Sequence, residues 1–286
     1  YGQLGNASSG GFGLTNLAAV PSLPPSRLIA CGAYHSAVLS NGTDNALYTF
    51  GANDAGQLGG PASFNAGGAG SDLSVQEQVP QWLRPSSSSA SGPSAIVGLA
   101  CGRYHTLALY GSGEICGWGA STEGQLGPVT HPSTGAAVTS TLSGSGFTRA
   151  PCFNLTSDFG LQVAPRALAA GDEHSLAVTH DGRLFARGKS VGAVGSSDAQ
   201  AGGPSPRRPL ELPSGPGGGA YVHSIAAAKA HSVVTTALGD VWTWGGNDKG
   251  QLGTGCASLG STPRPPAKAS GVPAASTTAW RVASLQ

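Results

Sequence analysis

The chain has 286 residues, a formal net charge of +1 and only 10% charged residues. That balance offers no basic stripe for nucleic acid or an anionic membrane as a main partner, and no apolar run approaches the roughly 18 residues of a membrane-spanning helix. The length is ample for one domain with a substantial core.

In chain order, the first recognisable phrase is Tyr1-Gly2-Gln3-Leu4-Gly5. Its Gly-Gln-Leu-Gly returns at Gly56, Gly124 and Gly250. A short strand over 26–30 then leads into Cys31-Gly32-Ala33-Tyr34-His35-Ser36, an apolar run, a turn over 41–45 and a return strand ending in Phe50-Gly51. A second copy has its leading strand over 95–100, then Cys101-Gly102-Arg103-Tyr104-His105-Thr106, the turn Gly111-Ser112-Gly113 and Trp118-Gly119. A third runs from a strand over 164–169 through Ala170-Gly171-Asp172-Glu173-His174-Ser175, the turn His180-Asp181-Gly182-Arg183 and Arg187-Gly188. A fourth runs from 221–226 through Ala227-Ala228-Lys229-Ala230-His231-Ser232, the turn over 237–240 and Trp244-Gly245. The four histidines lie 57 to 70 residues apart, whereas each lies only 19 to 22 residues before its Gln-containing loop or that loop's counterpart. A compact core is therefore repeated and elastic insertions join the copies.

Short runs rich in Val, Leu, Tyr and Trp between Gly-centred turns predict strands, and Asp-Gly suits the positive φ of a tight hairpin. A fourth strand per copy is expected near Val79 to Leu83 and at its counterparts, with Pro151-Cys152-Phe153 and Gln81-Trp82-Leu83 as outer-strand residues. Four antiparallel strands, repeated, are the arithmetic of a propeller blade: a lone blade buries neither face, and stacking around an axis covers faces and edges together. The repeat cores fall at about 26–59, 95–127, 164–195 and 221–253 of a single domain, 1–286.

These motifs resemble the regulator of chromosome condensation (RCC1) repeats: Gly-x-x-His-Ser/Thr, an apolar strand, a Gly turn, a strand ending in Trp-Gly, then Asn-x-x-Gly-Gln-Leu-Gly. The first two copies follow the phrase well. The fourth carries Ala228 in place of the glycine. The third replaces the Gln loop with Lys189-Ser190-Val191-Gly192-Ala193-Val194-Gly195. The resemblance implies an all-β fold, a β-propeller of RCC1-type four-stranded blades that closes with seven when complete. Here four full repeats and two partial ones, 1–5 and 280–286, are expected, with Trp280 and Arg281 in the leading strand of a further repeat. The chain then reads as part of a longer propeller.

Five cysteines, Cys31, Cys101, Cys116, Cys152 and Cys256, show no paired or zinc-like spacing, so no metal is expected and a reducing intracellular compartment fits. Cys31 and Cys101 take equivalent positions that hold Ala170 and Ala227 elsewhere, the mark of a small buried site. The sequons at Asn6, Asn41 and Asn154 read as chance matches. The insertions 60–94, 128–163, 196–220 and 254–278 are rich in Gly, Ser, Pro and Ala. Such composition seldom packs; surface padding and partner docking are the two readings.

His35, His105, His174 and His231 are tempting as a catalytic set, but repetition spreads them around a propeller. Their expected role is a structural hydrogen bond from the inner strand to a neighbouring turn. Gly32, Gly102 and Gly171 are expected to permit a tight turn, and Gln57, Gln125 and Gln251 to bond loop backbone. No phosphate loop or nucleophile elbow occurs, so no catalytic residue and no cofactor are expected. The variable pair between Gly and His differs in every copy: Ala33-Tyr34, Arg103-Tyr104, Asp172-Glu173 and Lys229-Ala230. By the family resemblance this turn lies on one face near the axis, which makes the eight residues a candidate partner-binding face.

The expected function is a non-catalytic protein–protein interaction module within a larger assembly, for which the family offers cytoskeletal and ciliary settings. The alternative is guanine-nucleotide exchange on a small GTPase, as in the family's founder. A UV-B photoreceptor of the plant type carries Trp in this turn, where Ala33, Arg103, Asp172 and Lys229 stand here, and is set aside.

Overall fold

The computed structural model describes residues 3–4, 19–20, 23–42, 46–59, 76–77, 95–126, 153–154, 163–188, 221–253 and 275–281. These form four antiparallel sheets, and no described residue is helical. The first sheet runs β1 (Ser26–Cys31), β2 (His35–Ser40), β3 (Leu47–Gly51), β4 (Gln76–Glu77). The second runs β5 (Ile96–Cys101), β6 (His105–Tyr110), β7 (Glu114–Gly119), β8 (Phe153–Asn154). The third has β9 (Pro165–Ala170), β10 (His174–Thr179) and β11 (Leu184–Gly188) among the described residues. The fourth runs β12 (Val222–Ala227), β13 (His231–Thr236), β14 (Val241–Gly246), β15 (Ala275–Arg281). Each is an up-and-down antiparallel meander, whose first three strands are joined by turns too short for any other connection. In the β6–β7, β10–β11 and β13–β14 hairpins the turn closes on a glycine with φ near 80°: Gly113, Gly182 and Gly239.

The sheets stack face to face, and the apolar core lies in the seams. Ala37, Leu39 and Leu47 of the first sheet pack with Ile96, Ala108, Tyr110 and Trp118 of the second. Leu107, Leu109, Ile115 and Leu126 of the second pack with Ala177 and Phe185 of the third. Leu176, Val178 and Leu184 of the third pack with Val222, Val234, Trp242 and Trp244 of the fourth. Successive residues of one strand serve opposite seams, since side chains alternate between faces. Hence β6 and β10, covered on both faces, are buried along their whole length, their histidines and hydroxyl residues included. In β13 burial alternates instead, with Ser232, Val234 and Thr236 buried toward the third sheet.

A polar relay crosses each seam beside the core. His35 Nε2 lies 2.8 Å from Thr106 Oγ1, and Thr106 donates its only hydroxyl proton to the Gln57 carbonyl at 2.8 Å. The histidine must therefore donate, which fixes its Nε2–H tautomer. Trp118 Nε1 donates to the same Gln57 carbonyl at 2.9 Å. His105, Ser175 and the Gln125 carbonyl repeat the relay at 3.0 and 2.9 Å, and His174 meets Ser232 at 2.9 Å. Ser36 likewise donates to the Gln3 carbonyl at 2.8 Å, so Gln3 sits against β2 as Gln57 sits against β6. The histidines thus reach a hydroxyl on the next sheet's second strand, not a turn.

Several expectations need correction. The first outer strand is Gln76–Glu77, just upstream of the Val79–Leu83 segment, which lies outside the described residues. Trp280 and Arg281 do not lead a further repeat; they pair with Thr243 and Trp242 as the outer strand of the fourth sheet. Outer and leading strands are consecutive β-prone segments, and only the ladder decides which sheet receives a residue. Cys101 is buried but Cys31 is exposed, because among the described residues β1 has a neighbouring inner strand, β5, on one side only. Cys116 is disulfide-bonded, so the free-thiol premise fails there.

The relay predicts a sharp difference between two substitutions at one position. Thr106→Val keeps the shape but leaves the His35 Nε2–H and part of the Gln57 carbonyl unpaired, at a cost of about 2–3 kcal/mol in urea unfolding. Thr106→Ser keeps the hydroxyl and should lose no more than about half of that.

Candidate functional site

The Gly-x-x-His turns of adjacent sheets form one rim. Each turn is closed by the glycine N–H donating to the histidine carbonyl, at 2.8 Å for Gly32 and Gly102 and 2.9 Å for Gly171. The rim is then stitched across seams: Ala33 N donates to the Gly102 carbonyl at 3.2 Å and Asp172 N to the Lys229 carbonyl at 3.1 Å. The carbonyl of the second variable residue is also held. Ala52 N donates to Tyr34 O, Ala120 N to Tyr104 O and Gly246 N to Ala230 O, at 2.7–2.8 Å. With its backbone fixed on both sides, the rim directs its variable side chains outward.

The turn glycines serve close approach; their φ is not positive. A Cβ on Gly102 would stand 2.1 Å from the His105 ring and 2.5 Å from the Gly171 carbonyl; one on Gly32 would meet the His35 ring and the Gly102 carbonyl, and one on Gly171 the His174 ring and the Ala228 carbonyl. The glutamines act within their loops: Gln57, Gln125 and Gln251 accept from Ala55 N, Glu123 N and Lys249 N at 2.8–2.9 Å.

Four of the eight variable residues meet in one cluster. The Tyr34 and Tyr104 rings stack with centroids 5.5 Å apart. The Arg103 guanidinium lies 5.1 Å from the Tyr104 centroid and 5.9 Å from that of Tyr34. Its Nη1 stands 3.9 Å from Asp172 Oδ2, with the two side chains 37% and 23% exposed. Hydrogen bonding to the Tyr104 hydroxyl is the main reason its pKa is raised. The result is an exposed cation on an aromatic platform, tethered loosely to one carboxylate. Ala33, Glu173 and Lys229 are exposed on the same rim and Ala230 is half-buried.

Behind the rim, burial holds His35, His105 and His174 neutral, with pKa values lowered to about 4, 3 and 4. His231 shifts in the same direction for the same reason. The Nδ1 atoms of His35, His105 and His174 have no partner, so these rings are structural donors through Nε2. Sequence reading missed two further seam contacts. Arg27 donates to the Ile96 carbonyl at 2.7 Å, and Arg166, at the matching strand position, to the Val222 carbonyl at 2.8 Å. The recurrence of Arg at that position was the available signal. Among the described residues no three metal-ligating side chains converge, and no helix is long and apolar enough to cross a membrane.

A profile described as the regulator of chromosome condensation (RCC1) repeat matches residues 44–109 and 239–278, and a second of the same description matches 27–57 and 96–125. Prp20p from Saccharomyces cerevisiae, described with its binding to Gsp1p and histones, superposes with a TM-score of 0.63 at 19% identity, over 92% of this chain and 52% of that one. The chain belongs to the RCC1-repeat β-propellers. Each four-stranded sheet is thus one blade of RCC1 type. Human WBSCR16 shares the fold, with a TM-score of 0.60 at 18% identity over 90% of this chain and 55% of that one. In sequence, the chain is 33% identical over 170 residues to the X-linked retinitis pigmentosa GTPase regulator of Canis lupus familiaris, covering 58% of this chain and 13% of that protein. It is 32% identical over 229 residues to the probable E3 ubiquitin-protein ligase HERC3 of Homo sapiens, covering 79% and 18%. It is 27% identical over 231 residues to the regulator of chromosome condensation of Mus musculus, covering 79% and 48%. The chain therefore spans 13% to 48% of the length of these relatives.

The buried histidines set a pH dependence. Between pH 6.5 and about 4, the unfolded chain binds protons that the folded rings refuse, so stability falls as pH drops through that window and is fully present above it. Chemical unfolding from pH 8 to 4 should show this loss, and His105→Gln, which keeps an N–H for Ser175 but does not titrate, should reduce its slope.

Proposed function

We propose that this propeller is a non-catalytic protein-docking module, and that the rim of Gly-x-x-His turns is its partner-binding face. The observation that carries this reading is the Tyr34–Arg103–Tyr104–Asp172 cluster. Tyr and Arg are among the residue types enriched at the energetic anchors of protein interfaces. Here they are held by a rim whose backbone is hydrogen-bonded across the seams, so little ordering cost remains to be met on binding. Beyond them Glu173 and Lys229 add opposite charges that suit a polar interface margin. The module would serve within a larger assembly, a cytoskeletal or ciliary one by family analogy.

A second reading, regulation of a small GTPase by nucleotide exchange, draws on two likenesses. One is to the mouse regulator of chromosome condensation; the other is to Prp20p, whose own partner includes Gsp1p. On that reading Asp172 and Glu173 would face the nucleotide-binding side of the GTPase.

Affinity capture with mass spectrometry separates the two. The native chain is compared with Arg103→Ala/Tyr104→Ala, whose fold is checked by circular dichroism and unfolding. Partners held at least about tenfold more weakly by the variant would support the rim as a docking face. A small GTPase retained chiefly after nucleotide removal, with faster release of a fluorescent nucleotide, would favour exchange. An unchanged partner set would overturn the rim.

A further inference from the structure

Asn41-Gly42 follows β2 directly, at the end of that strand away from the rim, and both residues are exposed. Asn41 is the only asparagine of the chain that precedes a glycine. Its backbone N–H is anchored, donating to the Pro25 carbonyl at 2.7 Å, and Ser40 N donates to Ala46 O at 2.9 Å just before it. The Asn41 side chain and the Gly42 N–H have no hydrogen-bond partner among the described residues. The asparagines of the Gln loops are placed in the opposite way. Asn53 and Asn247 accept from Leu58 N and Leu252 N at 3.0 Å through Oδ1, and each precedes an aspartate, whose side chain crowds the next amide.

We propose that Asn41 is a covalent modification site: its side-chain amide is lost spontaneously, through a cyclic imide formed with the Gly42 backbone nitrogen. Solvent hydroxide removes the Gly42 amide proton. The nitrogen attacks Asn41 Cγ, so that a Cγ–N bond forms and the Cγ–Nδ2 bond breaks. The departing nitrogen takes a proton from water and leaves as ammonia, which regenerates the hydroxide. Water then opens the ring at either carbonyl and leaves an aspartate or an isoaspartate at position 41. No oxidant, cofactor or enzyme enters the balance. Glycine favours the attack, because no Cβ shields its nitrogen and its backbone reaches the angles the ring requires. The reacting atoms belong to adjacent residues, so local motion of the turn suffices and the blade need not open. The same attack at Asn53 or Asn247 must first break the hydrogen bond from Leu58 or Leu252. The product carries a new carboxylate on the turn, and its isoaspartyl form inserts an extra methylene into the main chain after the nitrogen anchored to Pro25.

In the test, the whole folded chain is incubated at pH 6 and at pH 8, digested under acidic conditions and mapped by mass spectrometry. The peptide that contains Asn41 should gain the mass of an NH2-to-OH exchange, faster at pH 8, and should yield both aspartate and isoaspartate. Peptides that contain Asn53 and Asn247 should keep their mass over the same period. Gly42→Ala replaces an exposed residue and is expected to fold as the native chain does; it should slow the change at least about tenfold. Asn41→Gln should abolish it. The proposal is overturned by an equal rate in Gly42→Ala, by aspartate as the sole product, which marks direct hydrolysis without the ring, or by a change at Asn53 or Asn247 that precedes the one at Asn41. A mass gain that persists in Asn41→Gln comes from another residue and overturns it as well. None of these results bears on the docking reading, since the rim lies at the other end of β2.

Discussion

Everything in this structure leans on a three-atom relay: imidazole N–H to hydroxyl, hydroxyl to a loop carbonyl. It joins His35 to Thr106 to Gln57 and His105 to Ser175 to Gln125. Each element solves a problem for the others. The imidazole gives the buried hydroxyl a donor, the hydroxyl gives the loop carbonyl one, and the loop carbonyl orients the hydroxyl. Because the relay runs from one blade to the next and back, no blade is satisfied alone. Apolar packing supplies most of the attraction across a seam, but it is non-directional. The relay supplies the register in which Leu107 and Phe185, or Val178 and Trp242, face each other.

The relay also explains why the candidate docking face can vary while the fold does not. The glycine and the histidine that flank the variable pair are fixed by contact: a Cβ at Gly102 would strike both the His105 ring and the Gly171 carbonyl. The two residues between them are tied to the scaffold through their backbone, at the Ala33, Tyr34, Tyr104, Asp172, Lys229 and Ala230 main chains. Their side chains are free to differ. On the proposed docking role, recognition would thereby be separated from stability at a resolution of single residues, as where loops on a rigid scaffold carry recognition. The third blade shows the converse case, where a scaffold position holds Arg187 in place of the aromatic residue of the other blades, and its buried Nε and Nη2 find no hydrogen-bond partner among the described residues.

The sequence by itself determined the repeat, and with it the blade. The Gly-x-x-His and Gly-Gln-Leu-Gly phrases, the Gly-centred turns and the period-two strands each encode local geometry, and local geometry is readable from local chemistry. It also pointed to the eight rim residues, because variation at a fixed place in a repeat is visible without any structure. What the tertiary structure decided is which residues meet across a seam. Tyr34, Arg103, Tyr104 and Asp172 belong to three different repeats, and no spacing tells that they form one cluster. The same holds for the hydroxyl that each histidine reaches, the disulfide at Cys116, the exposure of Cys31 and the sheet that takes Trp280. The physical reason is common to all of them. A strand's fold is written in its own alternation of side chains, but its neighbours are chosen by stacking, and stacking joins residues some 60 to 70 positions apart.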